Sequence, residues 1–281
     1  MKLRLFGGIA VAALVLGVVS VALSGAGTKR SSATLGPLEE GPAKVRCKQG
    51  QRVVAVGGHG EVGDPLGGDA VVMLNEVARP GKRRARVSGS NRGGEDGELT
   101  AIARCKKGPR SVLASESITL PPAGMEPEAE SVTAKCPRGT RIVFGGFRTE
   151  IRSLDVPDNP FVVPTAAKRV GDRRWRVEGT NIADGPEDAG KLTALAYCGD
   201  VGRTKKRTET ATKAAFEFDT AEARCPRGTK LRYGGFDGTN PEEMLAVSLL
   251  TAFHRVNNRT FRAGHVAFAG PADLTAIAYC R

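Results

Sequence analysis

Aromatic residues are scarce in this 281-residue chain: one Trp, three Tyr and ten Phe, 5% in all. That scarcity argues against a surface of stacking platforms for bases or sugars. No long apolar run occurs beyond residue 23, which excludes a bundle of membrane-spanning helices. Glycine is frequent, at 36, but keeps no every-third-residue period, so a collagen triple helix is excluded. The three histidines, His59, His254 and His265, do not recur at ligand spacings, and there is no CxxC pair, which leaves no zinc-type ligand set. GxSxG, HExxH and the phosphate-loop pattern are missing too. The sequence therefore predicts no catalytic set, no metal and no cofactor.

What the chain has is positive charge. Lys and Arg number 42 against 30 Asp and Glu, a net +12, which favours anionic partners. Lys2 and Arg4 precede an uncharged apolar run, residues 5–23, and Ser24 and Ala26 then supply a small-x-small cleavage pattern. Residues 1–26 read as a secretion signal, with an uncleaved membrane anchor as the alternative. Loss of Lys2 and Arg4 leaves 12 − 2 = +10 on the exported part. Six cysteines in an exported chain point to disulfides, because that compartment is oxidising.

The cysteines frame an internal repeat. CKQGQRVVAVGGH opens at Cys47, CPRGTRIVFGGF at Cys136 and CPRGTKLRYGGF at Cys225, at intervals of 89 residues (136 − 47 and 225 − 136). ELTAIARC closes the first copy at Cys105, KLTALAYC the second at Cys198 and DLTAIAYC the third at Cys280. One bridge per copy follows: Cys47–Cys105, Cys136–Cys198 and Cys225–Cys280. Each closes a loop long enough to contribute roughly 4 kcal/mol in the chain-entropy picture.

Within a copy the polarity alternates with period two, and the turns Pro80-Gly81, Gly171-Asp172 and Asn257-Asn258 carry hairpin chemistry. The Gly-Gly pairs imply a bulge or a close backbone approach. After each turn comes a basic strand, RARV, RWRV or TFRA, on which Trp175 and its counterparts Ala85 and Phe261 face the core. The segments joining copies contain alternating β-branched residues and supply a further strand each. The division is signal 1–26, mobile tether 27–42, first repeat 43–105, linking strand and second repeat 106–198, and linking strand and third repeat 199–281. The expected fold is all-β: three pseudo-symmetric antiparallel repeats in a β-prism-like body, with tandem small β-sandwiches as the alternative.

The frame CPRGT…GGF…RWRV…LTALAYC resembles repeats of secreted bacterial proteins of unknown function. The threefold all-β plan is similar to that of vitelline membrane outer layer proteins, which are β-prisms. The resemblance implies an exported β-repeat protein and carries no catalytic residue onto this chain.

The recurring basic hairpins are the leading candidate site, with Arg84, Arg86, Arg174, Arg176, Arg259 and Arg262 as polyanion-binding residues. Arginine's forked donors match carboxylate and phosphate. A solvated strand face that discourages edge aggregation accounts for the same residues. The expected role is a secreted, non-catalytic binding or cell-envelope protein engaging an anionic extracellular polymer, with no nucleic acid and no membrane after cleavage. An extracellular polysaccharide hydrolase or a structural coat component are the alternatives. Asp96, Asp184 and Asp188 in turn loops are candidate calcium ligands, equally explained as solvated turns. Mass spectrometry of exported material should find a start at Gly27, or at Gly25 for the alternative cut; retention of residues 1–23 would establish the anchor instead.

Overall fold

The computed structural model describes residues 27–281 except 65–66, 108–109, 123–128, 151–160, 184–188, 215–216, 239–246 and 269–270. Residues 1–26, expected to be a signal, and Asp184 and Asp188 therefore lie outside the described residues. The first repeat supplies β1 (Thr28–Leu35), β2 (Glu40–Arg46), β3 (Arg52–Gly60), β4 (Val72–Gly81), β5 (Arg84–Asn91) and β6 (Gly97–Lys106). The second supplies β7 (Val112–Leu120), β8 (Glu130–Lys135), β9 (Arg141–Thr149), β10 (Val162–Val170), β11 (Arg174–Asn181) and β12 (Gly190–Gly199). The third supplies β13 (Lys205–Lys213), β14 (Phe218–Arg224), β15 (Leu231–Gly238), β16 (Val247–Arg255), β17 (Thr260–Phe268) and β18 (Ala272–Cys280).

These strands form three six-stranded antiparallel sheets, and each sheet is shared by two repeats. Sheet I runs β1-β6-β3-β16-β17-β14, sheet II β2-β5-β4-β9-β12-β7, and sheet III β13-β18-β15-β10-β11-β8. Each repeat thus gives half of its strands to one sheet and half to another. The halves are joined by β3 with β16, β4 with β9, and β10 with β15. The joins run cyclically, third repeat to first, first to second, second to third. Tandem sandwiches are excluded, because no repeat owns a sheet.

Residues 28–35, expected within a mobile tether, are strand β1, paired with β6 from Thr28↔Arg104 to Leu35↔Gly97. The reason is the same edge demand that β7 and β13 meet on β12 and β18. Hydroxyl pairs mark the equivalence: Ser32 with Thr100 at 2.9 Å, Ser117 with Thr193 at 3.0 Å, Thr210 with Thr275 at 2.7 Å. The threonine of each LTA string is the inner member of its pair.

The three bridges form as the spacing implies, with sequence separations of 58, 62 and 55. All six cysteines are buried. In the middle of the body each sheet contributes one phenyl ring: Phe147, Phe236 and Phe253. They meet edge-on at centroid distances of 6.1, 5.9 and 6.0 Å. In sheets II and III the ring comes from the third strand of a repeat and faces a smaller residue across the join, Val77 or Ala167. In sheet I the order is reversed: Phe253 sits on β16 and Gly58 faces it from β3.

A second size exchange explains the Gly-Gly strings. A side chain on Gly145 would fall 2.0 Å from the ring of Trp175, and one on Gly146 would fall 2.0 Å from the carbonyl oxygen of Val77. Trp175 fills that space and donates Nε1–H to the Gly146 carbonyl at 3.0 Å. In the first repeat the glycines are displaced by one place. Val56, not a glycine, lies opposite Ala103 as Gly145 lies opposite Ala196. Its side chain offsets part of the volume lost at Ala85, which stands where Trp175 stands in the second copy. Gly145→Val should therefore be severely destabilising, by about 3 kcal/mol or more. Adding Trp175→Ala should recover much of that loss, and a double-mutant cycle by denaturant unfolding measures the coupling. Phe147→Ala should cost about 3–5 kcal/mol in the same assay.

Candidate functional site

Each basic hairpin begins with an arginine fixed to the opening cysteine of its repeat. Nε and Nη2 of Arg83 donate to the Cys47 carbonyl at 3.2 and 3.1 Å. Arg173 does the same to Cys136 at 3.3 and 2.7 Å, and Arg259 to Cys225 at 2.9 and 2.7 Å. Arg259 is thus the counterpart of Arg83 and Arg173 rather than of Arg84 and Arg174. Its guanidinium is engaged in fixing the hairpin against the bridge.

Arg86, Arg176 and Arg262 lie on three different sheets, so the fold does not gather them into a ring. Each has a carboxylate. Arg86 donates to Glu76 at 2.8 Å, and Arg148 reaches the same Glu76 across the β4–β9 join at 2.7 Å. Arg176 pairs with Glu178, and Arg262 donates to Glu222 at 2.8 Å. Of the six arginines, Arg84 and Arg174 remain as exposed cations at the hairpin tips.

The tips, the bridges and the ends of the closing strands share one end of the body: the amides of Val53, Ile142 and Leu231 donate to the tip carbonyls of Lys82, Asp172 and Asn258. At this pole the threefold plan breaks chemically. The Arg79 amide donates to the Tyr197 hydroxyl at 2.6 Å, with the guanidinium 4.6 Å from that ring and Phe144 stacked beneath at 4.1 Å. One repeat further on, the Arg169 amide donates to the Tyr279 hydroxyl at 2.8 Å, with the guanidinium 4.7 Å from the ring and Tyr233 stacked at 4.5 Å. The third place, facing Arg255, holds Arg104 in place of tyrosine and Ala55 in place of the second ring. A cation–aromatic pair is replaced by a pair of cations.

Around Arg104 the charge is uncompensated. A cavity of about 190 Å³ is lined by Arg104, Lys106, Arg110, Arg232 and Arg281 over apolar walls, with no acidic side chain among its described lining residues. Burial, then Arg104 and Arg232, pushes Arg255 down to about 10. Burial and Arg232 lower Arg104, while Arg104 is the main cause lowering Lys106. Guanidinium groups crowded without counter-ions form a surface that an oxyanion would stabilise. The sequence reading missed this site, although the signal was present: ELTAIARC differs from KLTALAYC and DLTAIAYC at Arg104.

One outer cavity, of about 400 Å³, brings two carboxylates together, Glu40 and Glu76. Burial raises Glu40, which accepts from Asn75 Nδ2 at 2.8 Å. Glu76 is buried and accepts from Arg86, Arg148 and Ser88. A carboxylate so neutralised is a poor nucleophile, which weighs against glycoside hydrolysis there. Asp96 sits in an exposed turn, and no group of three metal-ligating side chains occurs among the described residues.

Arg104→Tyr would give Arg255 the ring its two counterparts have. The variant should gain about 1 kcal/mol at low salt, and the gain should shrink as salt screens the wild-type repulsion. Thermal unfolding at low and high ionic strength tests this.

No family model matches this chain, and no curated protein matches it, so the reading of the pole rests on its own residues.

Proposed function

We propose that this protein is an exported, non-catalytic binding module that engages anionic extracellular polymers through its cationic pole. The observation that carries the reading is the group of unpaired cations around Arg104, Lys106, Arg232 and Arg281, beside hairpin arginines that are mostly paired. Support for export comes from the three buried bridges, which suit an oxidising compartment, and from the signal-like residues 1–26. Gly27 accepts a hydrogen bond from the Cys105 amide, so cleavage after Ala26 would add a terminal ammonium to the same pole.

A linear polyanion satisfies several guanidinium groups at once, and the fixed hairpins lower the ordering cost of binding. Retention on a heparin column across a salt series is the test. The triple variant Arg104→Ser, Arg232→Ser, Arg281→Ser should elute at clearly lower salt than the wild type. Arg86→Gln with Arg176→Gln should leave elution nearly unchanged while lowering thermal stability. The reverse pattern would return the site to the hairpin strand faces.

A further inference from the structure

The outer faces of the three sheets carry matched polar clusters at the joins between repeats, and one of the three is incomplete. In sheet II, Glu76 and Arg148 face one another across the join, with Arg86 beside them. In sheet III, Lys168 on β10 bonds Asp237 on β15 at 2.5 Å, and Glu178 pairs with Arg176. Both clusters thus hold carboxylate between cations. In sheet I the corresponding positions are Ala252 for Glu76 and for Ala166 of sheet III, His59 for Arg148 and Asp237, and His254 for Lys168. The cations and imidazoles are there, but the one carboxylate that each sister pair carries across the join, Glu76 or Asp237, has no counterpart, since Ala252 and His59 stand in those two places.

Where that carboxylate is missing there is a cavity of about 290 Å³, lined by Arg30, His59, Thr251, Ala252, His254 and Arg262. Four buried polar atoms among these residues have no hydrogen-bond partner: Arg30 Nε, His59 Nδ1, Thr251 Oγ1 and His254 Nδ1. Thr251 is fully buried and His254 is 8% exposed. Buried polar groups are rarely left unpaired, and here they surround one space. The imidazoles of His59 and His254 lie 5.1 Å apart across the join. Arg262 uses Nε and Nη2 on Glu222.

We propose that this cavity is a second binding site, which receives the carboxylate of a small acidic ligand over Ala252, held by Arg30, Arg262, His59 and His254. The carboxylate class follows from the sister clusters, each of which supplies that group from its own chain. The ligand is a free acid or an acidic residue of a polymer, since both present the same group.

The site is acid-favoured. Burial and the neighbouring arginines hold both imidazoles below their ordinary value, His254 at about 3. Arg30 on β1, Glu98 on β6 and Arg262 on β17 are the charged groups that face the pair, and Glu222 on β14 pairs with Arg262. Because the folded values lie below the unfolded one, the ligand-free protein loses stability as pH falls below the ordinary imidazole value of about 6.5. A bound carboxylate raises both imidazoles, so binding takes up protons and tightens as pH falls.

Calorimetric titration with galacturonate, at about pH 5 and about pH 7.5, tests the proposal. Affinity should rise about tenfold at the lower pH, with proton uptake seen by comparing buffers of different ionisation enthalpy. Ala252→Glu, which restores the sister-cluster carboxylate, should abolish binding and reduce acid sensitivity. His254→Gln should remove most of the pH dependence even if Ala252→Glu fails to fold. A short galacturonate oligomer that binds no better than the monomer identifies the free acid as the ligand; one that binds more tightly identifies the polymer residue. Arg104→Ser, Arg232→Ser, Arg281→Ser should bind galacturonate normally, which separates this site from the pole. Affinity that is absent, independent of pH, or unchanged in Ala252→Glu would overturn the proposal, as would tighter binding of inorganic phosphate than of galacturonate.

Discussion

The structure depends on the packing of three phenyl rings in a space that none of the repeats encloses alone. Phe147, Phe236 and Phe253 each lean edge-on against the other two, and each is carried by a strand at a join between repeats. The apolar face of one repeat is therefore completed only by its neighbours. The disulfides act differently: each ties a repeat to itself and limits the freedom of the unfolded chain. Bridges set local shape, whereas rings and joins set the assembly.

Pseudo-symmetry makes the exceptions informative, because each repeat is an internal control for the other two. Some departures are compensated within the core. Val56 with Ala85 replaces Gly145 with Trp175, and Gly58 with Phe253 replaces Phe147 with Val77. In each exchange one partner grows as the other shrinks, which offsets part of the volume change that close packing resists. Other departures have no compensation. Arg104 meets Arg255 where tyrosine meets arginine elsewhere, and Ala252 leaves two imidazoles and two guanidinium groups around a vacant space. Both uncompensated exceptions involve the face where the third repeat closes on the first. Divergence there left two equivalents of the architecture to maintain stability.

Much of the fold was legible in the sequence. The 89-residue cysteine period implied the bridges, and alternation implied strands with Trp175, Ala85 and Phe261 facing inward. The sharing of every sheet between repeats was not legible, because pairing β3 with β16 links residues as far apart as His59 and Ala252 (252 − 59 = 193) and leaves no local trace. Strand β1 was overlooked because TKRSSATL is polar and has no strong apolar alternation; its kinship with the linking strands rests on hydroxyls that matter only once paired. The candidate arginines were recognisable as a repeated cluster, but strand alternation does not show which guanidinium groups meet Glu76, Glu178, Glu222 or a cysteine carbonyl. Arg104 is legible only by aligning the closing strings, and the displaced glycines of the first repeat show how such alignment can slip by one place.

The cyclic joins also bear on the order of assembly. During synthesis the second sheet can be completed once β12 has emerged, since β2, β4, β5, β7 and β9 precede it. The first sheet cannot, because half of it is made of β14, β16 and β17 near the end of the chain. Until the third repeat emerges, β3 in the first sheet and β10 in the third present unpaired edges, which are prone to pairing with another chain. A ribosome that releases the chain from its first residue therefore hands over a body open on the side that the third repeat will fill. Premature termination before β16 would leave that side open permanently, and two such fragments could close on each other.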